Sequence, residues 1–222
     1  MKRRVITTAD GSKTIQIEDW DEQYHSKHGA IQEAFHVFID HGLALFQNTE
    51  VKILEIGFGT GLNALITMME MKKRNLQINY VAIEAFPVLM EEVEQLEYCM
   101  QLNAPEHQSL FDKMHMVEWE KNISIISKFT LKKQKKDFKS INDTDLFNLI
   151  YFDAFGARVQ PELWTEEIFS KMYNALKDNG VLVTYAAKGS VRRALQSVGF
   201  TVERLPGPPG KREMLRATKT RQ

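Results

Sequence analysis

The fold can be predicted from one stretch of the chain, Val51-Lys52-Ile53-Leu54-Glu55-Ile56-Gly57-Phe58-Gly59-Thr60-Gly61-Leu62-Asn63. An apolar run that can form a buried strand meets three glycines at alternate positions, and residues 62–73 have helical periodicity. This order predicts a strand, a tight turn and a helix. Glycines suit such a turn because a ligand must approach the main chain closely and because side chains penalise positive φ angles. The alternative is a glycine-rich turn that holds no ligand.

Two acidic residues favour a bound ligand. Glu55 lies two residues before the first glycine, and Glu84 ends the next apolar run, residues 78–83. In a doubly wound sheet both would lie at the carboxyl ends of adjacent parallel strands, where such folds bind ligands. A carboxylate at the second strand end suits a ribose, because two hydroxyls can both donate to it. We therefore expect a cofactor that contains a nucleoside.

The glycine spacing favours S-adenosylmethionine over a dinucleotide. The dinucleotide fingerprint is G-x-G-x-x-G, whereas this chain has an acid followed by G-x-G-x-G. A carboxylate beside the loop would repel a pyrophosphate but could attract the ammonium and sulfonium charges of S-adenosylmethionine. The E-x-G-x-G-x-G arrangement resembles the first motif of class I methyltransferases. A dinucleotide-binding protein remains the alternative at this point.

Length and composition fit one cytoplasmic domain. The 222 residues can bury a sizeable core, no apolar stretch is long enough to span a bilayer, and the N-terminus lacks a signal-peptide core. We therefore expect no membrane partner. The single cysteine, Cys99, cannot form an internal disulfide or a cysteine-based metal site. Because His25 and His28 alone suggest a metal only weakly, no metal is predicted.

The charges are distributed unevenly along the chain. The net charge is zero, from 29 basic and 29 acidic residues, yet the segment that begins at Lys188 is strongly basic and contains only two acids, Glu203 and Glu213. A lysine cluster over residues 132–139 is interpreted as solvated surface, because lysine runs in loops are common solubility features.

The remaining pattern predicts an α/β fold of the class I (Rossmann-like) methyltransferase type. We expect an N-terminal β-hairpin, a helix over residues 31–46, and a seven-stranded, mostly parallel sheet with an antiparallel last strand. The last two strands should pair antiparallel because their connection is too short for a crossover helix. Residues 1–48 would form a hairpin and helix that cover the site, and residues 49–222 would form the S-adenosylmethionine-dependent methyltransferase domain.

Two further strand ends supply candidate site residues. A third strand is predicted near residues 114–117, followed by Glu118 and Trp119, whose acid and ring suit an adenine base. Helix capping is the alternative for these two residues. A fourth strand over residues 146–152 ends at Asp153, at the carboxyl edge beside the first strand. The alternative for Asp153 is a residue that caps the next turn.

Several short motifs are combined in this chain. They are the glycine stretch from Glu55 to Asn63, Asp153 after the fourth strand, Pro161-x-x-Trp164, Val191-Arg192-Arg193, Gly199-Phe200, Lys211-Arg212-Glu213-Met214-Leu215, Tyr24-x-Ser26 and Gly29-x-x-x-Glu33. Together they resemble the MnmC methyltransferase domain of tRNA wobble-uridine modification, whose stand-alone members are called MnmD-like. The resemblance covers nearly the whole chain. It departs from the family pattern where Asp-Gly-Phe-Ala-Pro is replaced by Asp153-Ala154-Phe155-Gly156-Ala157, and where Lys188 interrupts a small-residue stretch.

The resemblance implies a specific reaction. It implies transfer of a methyl group from S-adenosylmethionine to the exocyclic amine of 5-aminomethyl(-2-thio)uridine at the tRNA wobble position, giving 5-methylaminomethyl(-2-thio)uridine. The implied partner is the anticodon region of tRNA. Fused family members carry a flavin-dependent oxidoreductase domain, and this chain has no second glycine-rich nucleotide motif. We therefore expect an upstream enzyme to supply the aminomethyluridine.

The implied reaction assigns roles to the candidate residues. The expected cofactor residues are Glu55, Gly57, Gly59 and Gly61 at the methionine side, with Asn63, Glu84 at the ribose, Glu118 or Trp119 near adenine, and Tyr24 and Ser26 closing the site. Asp153 is the catalytic candidate, because a fixed carboxylate favours the positive charge that develops on the attacking nitrogen. With an ordinary pKa of about 3.9 it would orient the amine rather than act as a strong base.

Four basic residues are expected to contact RNA. Arg192, Arg193, Lys211 and Arg212 could bind phosphates, and a solvated basic edge is the alternative. Two other functions also remain open, a class I methyltransferase that acts on a small molecule and a non-catalytic tRNA-binding module. The presence of both acids and all three glycines argues against the module, because a site without a cofactor has no physical need for them.

Overall fold

The computed structural model describes residues 2–220. The β-strands are β1 (Arg3–Thr7), β2 (Lys13–Ile17), β3 (Glu22–Gln23), β4 (Glu50–Ile56), β5 (Gln77–Ile83), β6 (Asn122–Ile126), β7 (Phe129–Gln134), β8 (Phe147–Phe152), β9 (Leu176–Thr184), β10 (Thr201–Pro206) and β11 (Glu213–Thr218). The α-helices are α1 (Ala30–Ala34), α2 (Leu62–Glu70), α3 (Met90–Val93), α4 (Tyr98–Gln101), α5 (Gln108–Met116), α6 (Glu166–Ala175) and α7 (Gly189–Ser197). Single helical turns of 3-10 or π type lie at Glu18–Trp20, Phe35–Asp40, Leu43–Leu45, Met71–Arg74, Pro105–His107, Phe138–Ser140 and Pro161–Leu163.

A mostly parallel sheet forms the centre of the molecule. Its strand order is β10-β11-β9-β8-β4-β5-β7-β6. The five central strands, from β9 to β7, are parallel, whereas β11, β10 and β6 each pair antiparallel with a neighbour. Buried residues pack against both faces of the sheet, as the near-continuous apolar runs of β4 and β8 require. The predicted α/β fold with its antiparallel final pair is confirmed.

The third parallel strand does not lie where we predicted it. Residues 114–116 belong to helix α5, because Phe111 and Met114, three positions apart, both pack into the core. The third strand is β7, in which Phe129 and Lys133 are both buried on one face. The lysine run that we interpreted as solvated surface therefore contains a strand. Its hairpin partner β6 brings the sheet to eight strands rather than seven.

The N-terminal region forms a small sheet that shares its core with the large one. Strand β3 joins the predicted hairpin, so that β1-β2-β3 make three antiparallel strands. The single helix predicted over residues 31–46 is divided into α1, a π turn and a 3-10 turn. Ile15 and Phe38 belong to the same buried cluster as Ile53 of β4. Within residues 2–220, no helix is long and apolar enough to cross a lipid bilayer.

Candidate active site

The glycine loop connects the central strand β4 to helix α2. Gly57 has a φ of +92° and Gly59 a φ of +51°, in the region that side chains disfavour. A Cβ atom on Gly57 would lie 3.0 Å from the backbone oxygen of Asp153, and one on Gly59 would lie 2.9 Å from Cδ1 of Tyr24. The positive φ angles agree with the sequence prediction, and the close neighbours that also require glycine are Asp153 and Tyr24 of the protein itself.

A cavity of about 300 Å³ lies at the carboxyl ends of the central strands. Gly57 and Gly59 form one side, and the ends of β5, β7 and β8 supply most of the others. Gly61, which we also predicted to contact the cofactor, lies outside this lining and faces His115. Its lining includes Tyr24, His25, Gly57, Gly59, Asn63, Glu84, Phe86, Phe138, Asp153 and Phe155. We call it the first cavity. It occupies the switch point between β4 and β8, where open α/β sheets bind ligands.

Glu84 holds the glycine loop and faces the first cavity. It follows β5, is 8% exposed, and its two carboxylate oxygens accept separate backbone hydrogen bonds. Oε2 accepts from the N–H of Gly59 at 2.9 Å, and Oε1 accepts from the N–H of Phe86 at 2.9 Å. Each carboxylate oxygen can accept a second hydrogen bond. The Glu84 carboxylate can therefore also receive ribose hydroxyl groups.

Asn63 links the two acids that follow strands β4 and β8. Its Nδ2 donates to Oε1 of Glu55 at 3.0 Å and to Oδ2 of Asp153 at 2.8 Å. The amide lies in the first turn of α2 and lines the first cavity. Its Oδ1 is buried and has no hydrogen-bond partner within residues 2–220. The Asn63 amide therefore holds the two acids in place through its Nδ2, while its own oxygen stays inside the protein.

Glu55 lies behind Asn63 rather than in the cavity wall. Its side chain is 0% exposed and is not part of the first cavity's lining. Burial holds the pKa of Glu55 well above its usual range, while the hydrogen bond from Asn63 acts in the opposite direction. Burial thus favours the neutral carboxyl. The charge attraction that we predicted between Glu55 and the cofactor is therefore not supported by this arrangement.

Asp153 lies between β4 and the cavity. Its backbone N–H donates to the carbonyl of Ile56 at 3.1 Å, which fixes the segment beside the glycine loop. Burial raises the pKa of Asp153 to about 7, and the negative charge of Glu33 adds to the increase. The hydrogen bond from Asn63 and the charge of Lys211 oppose it. Asp153 is thus a stronger base than the ordinary aspartate that we assumed from the sequence.

A second cavity of about 700 Å³ adjoins the first and shares Tyr24 and His25 with it. Its lining includes Ser26, Lys27, Glu33, Trp164, Tyr185, Lys188, Lys211 and Arg212. Ser26 is buried in this wall, where its N–H donates to Oε1 of Glu33 at 3.1 Å and its Oγ accepts from the N–H of His28 at 3.1 Å. Of the two residues predicted to close the site, Tyr24 contacts both cavities and Ser26 only the second.

Glu118 and Trp119 lie outside both cavities. Glu118 is exposed and pairs with Lys121 at 2.6 Å, and the Trp119 ring centroid lies 4.7 Å from Nζ of Lys133. We placed the third strand at residues 114–117, but these residues end helix α5, so Glu118 and Trp119 do not follow a strand. Phe138, which comes shortly after β7, lines the first cavity in their place.

The four residues predicted to contact RNA have different environments. Arg193 on α7 and Arg212 beside the second cavity are exposed, and Arg192 is half-buried. Lys211 instead forms an ion pair with the buried Glu33. The Lys211 charge is thus engaged within the protein, whereas Arg193 and Arg212 are accessible.

Several lining residues were missed from the sequence. Phe86 lies two residues after Glu84, close enough in sequence to be recognised once that strand end was assigned. Phe138 required the correct third strand. Tyr185 follows β9 directly and could have been found from the same rule of strand ends that identified Asp153.

A family model described as S-adenosyl-L-methionine-dependent methyltransferase matches residues 94–220, more than half of the chain. The chain belongs to this methyltransferase family. The fold and the site agree with that membership, since the switch-point cavity is lined by Gly57 and Gly59 of the glycine loop and by Glu84. The methyltransferase residues therefore fit S-adenosylmethionine, with the glycine backbone able to approach it closely.

This methyltransferase is similar to two proteins from different bacteria that carry the same name. Each is called "tRNA 5-methylaminomethyl-2-thiouridine biosynthesis bifunctional protein MnmC". The one from Hydrogenovibrio crunogenus is 27% identical over 88% of this chain and 31% of its own length. The one from Aromatoleum aromaticum is 30% identical over 96% of this chain and 35% of its own length. The chain thus spans about a third of these relatives. The crystal structure of MnmC2 from Aquifex aeolicus matches 99% of this chain and 72% of that chain, with 25% identity and a TM-score of 0.75.

Proposed function

We propose that this methyltransferase methylates the exocyclic amine of 5-aminomethyl(-2-thio)uridine at the wobble position of tRNA, giving 5-methylaminomethyl(-2-thio)uridine. The similarity to proteins named for 5-methylaminomethyl-2-thiouridine biosynthesis supports this proposal. The observation that carries it is Asp153, a carboxylate with a pKa raised to about 7 that lines the first cavity, beside a second cavity with a basic rim. In this proposal an upstream enzyme supplies the aminomethyl group.

The first cavity would hold the cofactor. S-adenosylmethionine supplies a methyl group whose bond to a positively charged sulfur breaks as the bond to nitrogen forms, the electron pair remaining on sulfur. Glu84 would accept from the ribose hydroxyls, and Gly57 and Gly59 would lie along the methionine part. The rings of Phe86 and Phe138 would flank the adenine. Glu55 would act through Asn63, by holding its amide in place.

Asp153 would take a proton from the substrate. A free alkylammonium has a pKa of about 10 and cannot attack until it loses a proton. An acceptor with a pKa of about 7 takes that proton more readily than an ordinary aspartate with a pKa of about 3.9. The carboxylate Oδ2 is held by Asn63 and would then release the proton to solvent. The same negative charge favours the positive nitrogen that forms during transfer.

The second cavity would receive the wobble nucleotide. Its rim carries the exposed cations Lys27, Lys188 and Arg212, which suit RNA phosphates. Tyr24 and His25 lie between the two cavities, and both belong to residues 1–48. This placement supports the proposal that the N-terminal region covers the site. Arg193 would extend the phosphate contacts along α7.

Methyl transfer to defined RNAs tests the proposal. The purified protein is incubated with methyl-labelled S-adenosylmethionine and a tRNA that carries 5-aminomethyluridine at the wobble position, and the digested nucleosides are separated. We expect label only in 5-methylaminomethyluridine, and none with the same tRNA carrying unmodified uridine. Absence of that labelled nucleoside would contradict the proposal. An equal kcat/KM for the free nucleoside 5-aminomethyluridine would indicate a small-molecule methyltransferase instead.

A further inference from the structure

The second cavity contains an ion pair between a buried carboxylate and a half-buried ammonium, to which the proposed methyl transfer assigns no role. Glu33 on α1 is 5% exposed, and its carboxylate pairs with Nζ of Lys211 from the loop between β10 and β11. Oε1 of Glu33 also accepts a hydrogen bond from the N–H of Ser26 at 3.1 Å. Both charged side chains line the cavity. Taking two charges out of water is costly, and hydrophobic replacements often serve stability as well.

Aromatic side chains surround this ion pair. Nζ of Lys211 lies 3.8 Å from the centroid of the Tyr185 ring, and Tyr185 packs edge-on against Trp164 with ring centroids 6.1 Å apart. The hydroxyl of Tyr185 donates to the carbonyl of Ala154 at 2.8 Å, which fixes the ring next to the segment that carries Asp153. Proteins that read an unstacked base combine aromatic walls with hydrogen-bonding groups in this way.

We propose that Glu33 and Lys211 recognise the base edge of the substrate and select uracil over cytosine, an inference that rests on the proposed function. Uracil presents an N–H donor at N3 beside a carbonyl acceptor at C4, whereas cytosine presents an acceptor at N3 and an amino donor at C4. A carboxylate only accepts hydrogen bonds and an ammonium only donates them. The pair therefore matches uracil at both positions and mismatches cytosine at both.

The position of the pair beside Asp153 agrees with this role. The C4 carbonyl of a pyrimidine is attached next to the C5 carbon that carries the aminomethyl group, so an amine at Asp153 brings the C4 and N3 edge close by. Glu33 and Lys211 lie near enough to Asp153 to shift its pKa in opposite directions. The positive charge of Lys211 also disfavours an ammonium beside Glu33, which leaves the substrate amine to Asp153.

Two matched RNAs test the selection. Anticodon stem-loops carry 5-aminomethyluridine or 5-aminomethylcytidine at the wobble position, and kcat/KM for methyl transfer is measured on each. We expect the wild-type protein to prefer the uridine RNA by about 10- to 100-fold, the discrimination that a well-placed pair of hydrogen bonds gives. In Glu33→Gln the amide can donate as well as accept, so the preference should fall to within about threefold. Lys211→Met removes the donor at similar length and should also reduce the preference.

Glu70→Gln is the matched control. Glu70 is 7% exposed and pairs with Lys73 and Arg74, but it lies at the far end of α2 and lines neither cavity. We expect this variant to retain the wild-type preference.

The outcomes separate the inference from the proposed function. If folded Glu33→Gln and Lys211→Met lower kcat/KM by the same factor on both RNAs, the pair is structural and the inference is overturned. Equal transfer to both RNAs by the wild-type protein also overturns it. Transfer to neither RNA would instead contradict the proposed function. Should Glu33→Gln fail to fold, the preference of Lys211→Met decides.

Discussion

Asp153 combines two properties at the scale of a single residue. Its position at the end of β8 could be predicted from the sequence, because a strand end next to the central strand lies at the ligand edge. Its basicity could not be predicted. Burial and the charge of Glu33, which belongs to a distant part of the chain, raise the pKa of Asp153 to about 7. In the proposed reaction, that value allows Asp153 to accept the proton of the substrate amine as well as to orient it.

The raised pKa predicts a pH dependence. Below pH 7 Asp153 is protonated and cannot take the proton of the substrate ammonium, so kcat/KM should rise with pH and level off above an apparent pKa of about 7. Steady-state kinetics with an aminomethyluridine RNA between pH 5.5 and about 9 measure this limb. A profile that is already flat at pH 5.5, as an ordinary aspartate with a pKa of about 3.9 would give, would contradict the assignment.

The Asp153→Asn substitution separates catalysis from cofactor binding. The amide can keep the contact with Asn63 but cannot accept a proton, so turnover should fall by at least about 100-fold. The Kd for S-adenosylmethionine, measured by calorimetry, should change by less than about threefold, because Glu84 and the glycine loop remain intact. Unchanged turnover would rule out the catalytic role.

At the scale of elements, the β4–loop–α2 unit was predictable and the third strand was not. Strand β4 is apolar and the glycines follow it directly, so that the order of strand, turn and helix can be recognised from adjacent residues. Strand β7 buries Lys133, whose Nζ lies 5.7 Å from the Phe58 ring centroid and donates to the carbonyl of His115. Phe58 and His115 belong to other parts of the chain, so the sequence around Lys133 does not show that its charge has partners inside the protein. We therefore interpreted a strand that contains lysines as an exposed loop.

The glycine loop gives a prediction with an internal control. In Gly59→Ala the residue keeps a φ of +51° and its Cβ meets the Tyr24 ring at 2.9 Å, so the loop or the ring must move. We expect the Kd for S-adenosylmethionine to rise at least about tenfold, since a loss of about 1.4 kcal/mol of binding free energy suffices. Calorimetry measures it.

Gly11→Ala is the control for this substitution. Gly11 has a φ of +82° and no described atom within 4 Å of an added Cβ. The variant carries a similar backbone penalty, on the order of 1 kcal/mol, at a residue that lines neither cavity. Its Kd for the cofactor should equal that of the wild-type protein. Equal Kd values for the two variants would show that the close packing of Gly59 against Tyr24 does not affect cofactor binding.

At the scale of the whole molecule, zero net charge conceals an uneven surface. Three exposed cations, Lys27, Lys188 and Arg212, line the second cavity. A second basic group, Lys72, Lys73 and Arg74, lies in the turn after α2. Because α2 starts at the carboxyl end of β4, that turn lies at the opposite edge of the sheet. A neutral protein with a local basic rim can still bind RNA, provided that the rim faces the phosphates.

Salt dependence tests this distribution. With phosphate contacts from two to four of the cations Lys27, Lys188, Arg193 and Arg212, the slope of log K against log salt concentration should be about −1.4 to −2.8 for single-stranded RNA. Removal of Arg193 and Arg212 together should reduce the slope by about 1.4. Lys73→Ala, whose side chain is 71% exposed in the turn after α2, should leave it unchanged. A slope that is equally affected by Lys73→Ala would indicate non-specific attraction.

Nucleoside analysis of tRNA from cells that lack this protein tests the central claim most directly. The account predicts that 5-methylaminomethyl(-2-thio)uridine is lost and 5-aminomethyl(-2-thio)uridine accumulates at the wobble position. The gene for the wild-type protein should restore the methylated nucleoside, and the Asp153→Asn gene should not. An unchanged nucleoside profile in the deletion strain would contradict the account.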